Sequence, residues 1–117
     1  PTVLADVPDS ARMMQEETFG PVAPIVAFDD LDELVQRANK TPYGLAAYVY
    51  SRDLSRALTV AERLEFGGVG INVNDITELE SPFGGWKQSG IGRELGREGL
   101  EAYLEPKHIR MRLRTTG

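Results

Sequence analysis

Residues 21–50 read PVAPIVAFDDLDELVQRANKTPYGLAAYVY, and this stretch decides the fold class. Val22 to Phe28 is an apolar run, which predicts a buried strand. The next segment predicts a helix that ends before Pro42, with one apolar face at i, i+3, i+4 and i+7 formed by Leu31, Leu34, Val35 and Ala38. A second apolar run, Leu45 to Tyr50, predicts another strand directly after it.

The pattern then repeats. Ser51 or Asp53 can cap a second helix, whose predicted apolar face consists of Leu54, Ala57, Leu58, Ala61 and Leu64. Gly67-Gly68 ends that helix and Val69 to Val73 predicts a third strand. Strand, helix, strand, helix, strand with short connections predicts an α/β fold with a parallel βαβαβ sheet. The N-terminal Thr2–Val7 and Asp9–Glu16 predict a further strand and a short helix.

The last third of the chain differs from the middle in composition and in predicted structure. Residues 74–92 form a long loop rich in Gly, Asn, Ser and Pro, and such loops are often functional. A helix is predicted from Gly92 or Arg93 to Leu104. Pro106 to Arg114 then alternates apolar and basic residues, which predicts a terminal strand whose open backbone groups can pair with another chain.

Composition narrows the possible functions. The chain has 117 residues, of which 41% are hydrophobic and 26% are charged. Its net charge is −5, so it lacks the excess of positive charge that would favour a nucleic-acid partner. It holds no cysteine and one histidine, which excludes disulfides, Cys/His zinc sites and a cysteine nucleophile within this chain. We expect no metal site, no membrane span and no signal peptide, and therefore a cytoplasmic protein. Because the sequence begins at Pro1, we expect a processed chain or a fragment.

The residues give little support for an active site formed entirely within this chain. The glycines at 84–85 and 90–92 miss the dinucleotide fingerprint, because Leu95 stands where its third glycine belongs. Ser89 lacks a nucleophile elbow, since Lys87 precedes it where glycine is needed. His108 is the only imidazole, so a Ser–His–acid triad is disfavoured. The acid pairs Glu16/Glu17 and Glu78/Glu80 are open to an acid/base role, but exposed acids are usually structural.

A set of ordered motifs nevertheless resembles the aldehyde dehydrogenase superfamily over nearly the whole chain. The matching stretches are Glu16–Val22, Thr41–Ala46, Gly70–Asn74, Ser81–Gly90 and Gly92–Tyr103. The resemblance covers only the C-terminal part of a much longer enzyme. It implies residues 1–105 as part of a catalytic domain and 106–117 as an oligomerisation strand and tail. In the family a cysteine thiolate attacks the aldehyde, NAD(P)+ takes the hydride, and a glutamate activates water.

The resemblance assigns roles residue by residue. Glu17 matches a glutamate that binds the nicotinamide ribose, and Phe19 matches the aromatic residue beside the nicotinamide. Phe83 matches a ring of the aldehyde tunnel. Thr77 stands where aromatic-aldehyde enzymes often have another ring, which suits a shorter or polar substrate. The sequence of Lys87–Gly90 is similar to that of the succinate-semialdehyde-type members of the family.

Three further matches concern proton transfer and assembly. Glu94 matches an accessory proton relay, while Arg93 and Glu105 match positions that support the subunit interface. Residues 106–113 resemble the strand that joins a partner subunit, which implies a homo-oligomer. The nucleophile and general base lie outside this chain, so the isolated chain is expected to be inactive and to bind NAD or NADP only weakly. The alternatives are a non-catalytic oligomerisation module and a small-molecule-binding α/β module.

Overall fold

The structure, a computed structural model, describes residues 1–113. Its principal helices are α1 (Leu31–Asn39) and α2 (Leu54–Arg63), and a shorter α3 spans Gly96–Glu101. The strands are β1 (Thr2–Ala5), β2 (Val22–Ile25), β3 (Tyr43–Gly44), β4 (Ala46–Val49), β5 (Gly68–Ile71) and β6 (Trp86–Lys87). Helices alternating with parallel strands confirm the predicted α/β class.

The strands pair differently from the single sheet that the sequence predicts. Within residues 1–113, β1 pairs with β2 in parallel, β4 pairs with β5 in parallel, and β3 pairs with β6 antiparallel, giving three two-stranded sheets. β2 and β4 are therefore not neighbours, and the prediction of one βαβαβ ladder is wrong for these residues. Apolar periodicity locates strands, but it does not determine which strand lies beside which.

Both long helices begin with an aspartate cap. The Asp30 carboxylate accepts the Glu33 N–H at 2.9 Å, and the Asp53 carboxylate accepts the Arg56 N–H at 3.0 Å. These bonds satisfy N–H groups that have no partner inside the helix. Of the two predicted caps for α2, Asp53 is thus the cap. Ser51 instead accepts the N–H of Asp53 through its hydroxyl.

The core lies where α1 and α2 cover β4 and β5. Its buried centre is Val35, Val60 and Leu64, against which Ala47 and Val69 pack. The predicted face of α2 is partly wrong: Val60 is buried, whereas Leu58, assigned to the buried face, is 46% exposed. The stripe 57, 60, 61, 64 also satisfies the helical period, and it is this stripe that meets the sheet.

The two ends of the chain depart furthest from prediction. The N-terminal helix is only a 3₁₀ turn, Arg12–Met14, and α3 is shorter than the predicted helix. Residues 106–113 form no strand within the described chain, because a strand needs a ladder partner and none is offered there. The predicted last strand residue, Arg114, lies outside the described residues. No helix within residues 1–113 is long and apolar enough to cross a membrane.

Candidate functional site

Residues 81–95, named here the glycine loop, bring together two residues that the sequence assigned to the site. Phe83 and Glu94 face each other as an antiparallel bridge, and each N–H donates to the other's carbonyl at 2.7 Å. Opposed residues of such a pair project their side chains from the same face. The loop therefore presents an aromatic ring beside a carboxylate.

Close backbone contacts explain the paired glycines of the glycine loop. A Cβ on Gly84 would lie 2.6 Å from the Gly92 carbonyl oxygen, and one on Gly85 would lie 2.5 Å from the Ser89 Cβ. Both distances are shorter than carbon atoms tolerate. Glycine at these two positions thus allows close packing of the loop.

Arg93 holds the glycine loop from inside. Its guanidinium donates to the carbonyl oxygens of Gly85 at 3.0 Å and Gly92 at 2.6 Å. The sequence assigned Arg93 and Glu105 to a subunit interface, but no ion pair joins these two residues within the part of the chain that the structure describes. Arg93 has a role within its own chain, whatever a partner subunit adds.

The base of the glycine loop is attached to the α1–α2 unit. Beside the β3–β6 pair, the Gly44 N–H donates to the Ser89 hydroxyl at 2.9 Å, and the Gln88 N–H donates to the Pro42 carbonyl at 2.9 Å. The Lys87 ammonium contacts the C-terminal end of α1 and also Glu65. Sequence reasoning missed these attachments, because each joins residues more than twenty positions apart.

Thr77 lies in a second ordered segment, between β5 and the glycine loop. The Asp75 carboxylate accepts the Thr77 N–H at 2.8 Å, and this bond holds the pKa of Asp75 below its ordinary value. Asn72 exchanges two hydrogen bonds of 2.9 Å with the Ser51 backbone, which fixes the start of the segment. Thr77 itself is exposed.

Residues 15–20, named here the strap, carry the two predicted cofactor residues. Glu17 is exposed, and the Phe19 side chain is 97% exposed. Glu16 forms an exposed ion pair with Arg12 at 2.8 Å. An exposed carboxylate can accept two ribose hydroxyls and an exposed ring can stack on a base, so these residues fit a dinucleotide.

A bidentate ion pair joins Asp9, which precedes the strap, to Arg37 of α1. The Arg37 guanidinium donates to the Asp9 carboxylate at 2.6 and 3.2 Å. These hydrogen bonds lower the pKa of Asp9 and raise that of Arg37. The pair borders a cavity of about 670 Å³ whose apolar lining includes Phe28 and Leu34.

The remaining candidate residues are dispersed. His108, Glu105, Glu78 and Glu80 are exposed, and no acid/base dyad or catalytic triad forms around them within the described residues. Among residues 1–113 no group of three His, Cys, Asp or Glu side chains could hold a metal ion. The residues assigned from the resemblance therefore lie in two places, Glu17 and Phe19 on the strap and Phe83 and Glu94 on the glycine loop.

Comparison with known proteins identifies the family. The model of the aldehyde dehydrogenase family matches residues 1–109. The chain belongs to the aldehyde dehydrogenase family. A probable NADP-dependent succinate-semialdehyde dehydrogenase of Sinorhizobium fredii is 55% identical over 93% of this chain, and the NADP-dependent succinate-semialdehyde dehydrogenase GabD of Escherichia coli is 52% identical over 93%. These matches confirm the predicted family.

Solved structures agree with the family assignment. Betaine aldehyde dehydrogenase of Staphylococcus aureus in complex with NAD+ superposes with a TM-score of 0.85 over 92% of this chain, at 49% identity. The chain covers 21% of that structure, 22% of the S. fredii protein and 23% of GabD. The chain thus spans less than a quarter of each of these relatives.

Proposed function

We propose that this chain supplies the cofactor-facing strap and the substrate-facing glycine loop of an NAD(P)-dependent aldehyde dehydrogenase. The observation that carries the proposal is the Phe83–Glu94 pair, which puts an apolar ring and a carboxylate side by side on an internally bonded loop. Such a pair suits an aldehyde that must be shielded from bulk water while a proton is removed nearby.

The reaction converts an aldehyde, water and NAD(P)+ into a carboxylic acid, NAD(P)H and a proton. NAD(P)+, when bound, would supply the hydride acceptor. Glu17 and Phe19 would hold it, Glu17 by accepting hydrogen bonds from the nicotinamide ribose and Phe19 by contact with the nicotinamide ring. Phe83 packs against the aldehyde, and Glu94 relays the proton that a general base outside this chain takes from water.

The nucleophile is provided from outside these residues, since the chain has no cysteine. The isolated chain is therefore inactive as an aldehyde dehydrogenase. It also binds NAD+ and NADP+ weakly, because Glu17 and Phe19 lie on an exposed strap and offer only one side of a binding site. Calorimetric titration of the chain with both cofactors separates this proposal from the alternative of a small-molecule-binding module, which requires tight binding.

A short aldehyde with a polar end, such as a semialdehyde, is the proposed substrate class. Thr77 is exposed and is oriented by Asp75, and a threonine leaves more room and polarity than an aromatic ring. The S. fredii and E. coli relatives named for succinate semialdehyde support the same class. A kcat/KM higher for benzaldehyde than for succinate semialdehyde would contradict it.

Residues 106–113 are proposed to join a second copy of the protein. Ile109, Met111 and Leu113 are 76%, 77% and 82% exposed and alternate with basic residues, as in a strand that is covered on one face. Arg110→Pro removes a backbone donor and is expected to weaken the oligomer in sedimentation. A strict monomer at all concentrations would contradict this part of the proposal and its non-catalytic alternative alike.

The decisive experiment uses the protein encoded by the complete reading frame that contains this chain, named here the parent protein. We expect it to reduce NAD+ or NADP+ in the presence of an aldehyde and to lose that activity when its nucleophilic cysteine becomes serine. A reading frame that encodes no such cysteine upstream of Pro1 would contradict the proposal. A cytoplasmic location stays a prediction from the sequence.

A further inference from the structure

The Lys87 ammonium lies at a junction of three parts of the chain. It donates to the carbonyl oxygens of Asn39 at 2.7 Å and Thr41 at 3.3 Å, and it contacts the Glu65 carboxylate at 2.7 Å. An ammonium has three N–H donors, and all three have acceptors here. The Lys87 side chain is only 24% exposed, so these contacts are shielded from water more than a surface ion pair is.

The junction is placed where a cation is favoured. Asn39 is the last residue of α1, and its carbonyl belongs to the negative end of the helix dipole. The Asn39 side chain also bonds the backbone of Arg63 and Glu65 at 2.9 Å each, which ties α1 to the end of α2. Lys87 thereby connects the glycine loop to both helices at once.

Lys87 adopts a strained backbone conformation to reach this position. Its φ is +53°, a left-handed value that side chains other than glycine rarely adopt. Such strain persists only where the surroundings fix the residue, and it is common at functional sites. The strain and the three contacts together indicate that the position of Lys87, rather than its charge alone, is what the fold maintains.

We propose that Lys87 is a positioning residue for aldehyde oxidation: it fixes the glycine loop so that Phe83 and Glu94 face the substrate. Lys87 is not itself a catalytic group, because it acts through the backbone between Phe83 and Glu94. The inference rests on the proposed function of that loop. It goes beyond that function by naming the contact that sets the geometry of the loop.

The test measures three variants of the parent protein. Lys87→Met keeps the side-chain length but removes the charge and the donors, whereas Lys87→Arg keeps the charge. Lys40→Met is the matched control, since Lys40 is an exposed lysine next to Asn39 at the same helix end. The readouts are kcat/KM for the aldehyde and the dissociation constant for NAD(P)+.

We expect Lys87→Met to lower kcat/KM for the aldehyde by about 10- to 100-fold, because a shift of about 1 Å in a positioning group costs that much. The NAD(P)+ dissociation constant should stay close to that of the unaltered protein, since Glu17 and Phe19 lie on the strap. Lys87→Arg should recover part of the loss and Lys40→Met should cause none. Equal losses of cofactor binding and aldehyde turnover would show a merely structural role and overturn the inference.

A further variant, in the ion-pair partner of Lys87, tests the inference if Lys87→Met does not fold. Glu65→Gln retains an acceptor but removes the negative charge, so it should produce a smaller loss of the same kind, confined to the aldehyde step. Turnover unchanged by Glu65→Gln and by Lys87→Arg would overturn the inference. A parent protein that oxidises no aldehyde would instead overturn the proposed function, so the two failures are distinguishable.

Discussion

The glycine loop and the strap both carry residues matched to the family site, but they are held in opposite ways. Phe83 and Glu94 are paired by two backbone hydrogen bonds, and Arg93 and Lys87 hold the loop around them. Phe19 is 97% exposed on a strap whose side-chain contacts are a Gln15 hydrogen bond to the Asp9 carbonyl and the exposed Arg12–Glu16 ion pair. The glycine loop is thus held by contacts within this chain, whereas the ring of the strap that we propose to face the cofactor is left exposed.

The largest effect should come from a glycine that lies under the glycine loop. A Cβ on Gly67 would collide with the carbonyl oxygen of Gly84, so Gly67→Ala must push the loop away from β5. We expect a loss of about 3 kcal/mol in the free energy of unfolding, as for overpacked cores. Denaturant unfolding of the parent protein measures it.

Gly20→Ala is the matched control for that substitution. Gly20 lies at the end of the strap, where an added Cβ meets nothing within 4 Å. The free energy of unfolding should change by less than about 0.5 kcal/mol, as for ordinary surface substitutions. Equal destabilisation by Gly20→Ala and Gly67→Ala would show that the strap is held as firmly as the loop.

Phe19→Ala tests the exposed side of the comparison. Because the ring is 97% exposed in this chain, its removal should leave the thermal midpoint of the isolated chain unchanged. In the parent protein it should weaken NAD(P)+ binding by about tenfold, the equivalent of about 1.4 kcal/mol for one lost ring contact. A lower thermal midpoint with unchanged cofactor affinity would place Phe19 in the fold rather than in the site.

Asp9→Asn should have the smallest effect, a loss of stability that is present above about pH 3.8 and disappears in acid. Arg37 lowers the pKa of Asp9 below its ordinary 3.8, so the unfolded chain holds the proton more tightly than the folded one. The stabilisation is fully present above pH 3.8 and is lost as the pH falls through the lower folded pKa. The thermal midpoint of Asp9→Asn should therefore fall less steeply below that pH. If the thermal midpoints of Asp9→Asn and of the unaltered protein fall in parallel as the pH is lowered, the stabilising Asp9–Arg37 ion pair is contradicted.

Local patterns in the sequence predict local structure well here. The Asp53 cap, the buried Val35 face of α1 and the parallel strands around α2 follow from spacing and capping rules. The family resemblance, carried by quoted motifs, predicts the enzyme class. These features depend on residues close together in the chain, so the sequence contains the information directly.

Non-local contacts are what the sequence could not provide. The bonds from Lys87 to Asn39 and from Ser89 to Gly44 span 48 and 45 positions, and no periodicity marks them. The same limit explains why β2 and β4 do not pair with each other and why residues 106–113 form no strand, since ladder partners are set by the whole fold. The failed prediction of Leu58 as a core residue has a similar cause, because two apolar stripes compete on α2.

The most direct test of the account is a chimera with the E. coli relative GabD. Its matching segment is replaced by residues 1–109 of this chain, to which it is 52% identical, while GabD supplies the remaining residues. We predict that the folded chimera forms NADPH from NADP+ and succinate semialdehyde, and that the isolated chain forms none. A chimera that unfolds at the same temperature as GabD yet forms no NADPH would contradict the claim that this chain carries the strap and glycine loop of an aldehyde dehydrogenase.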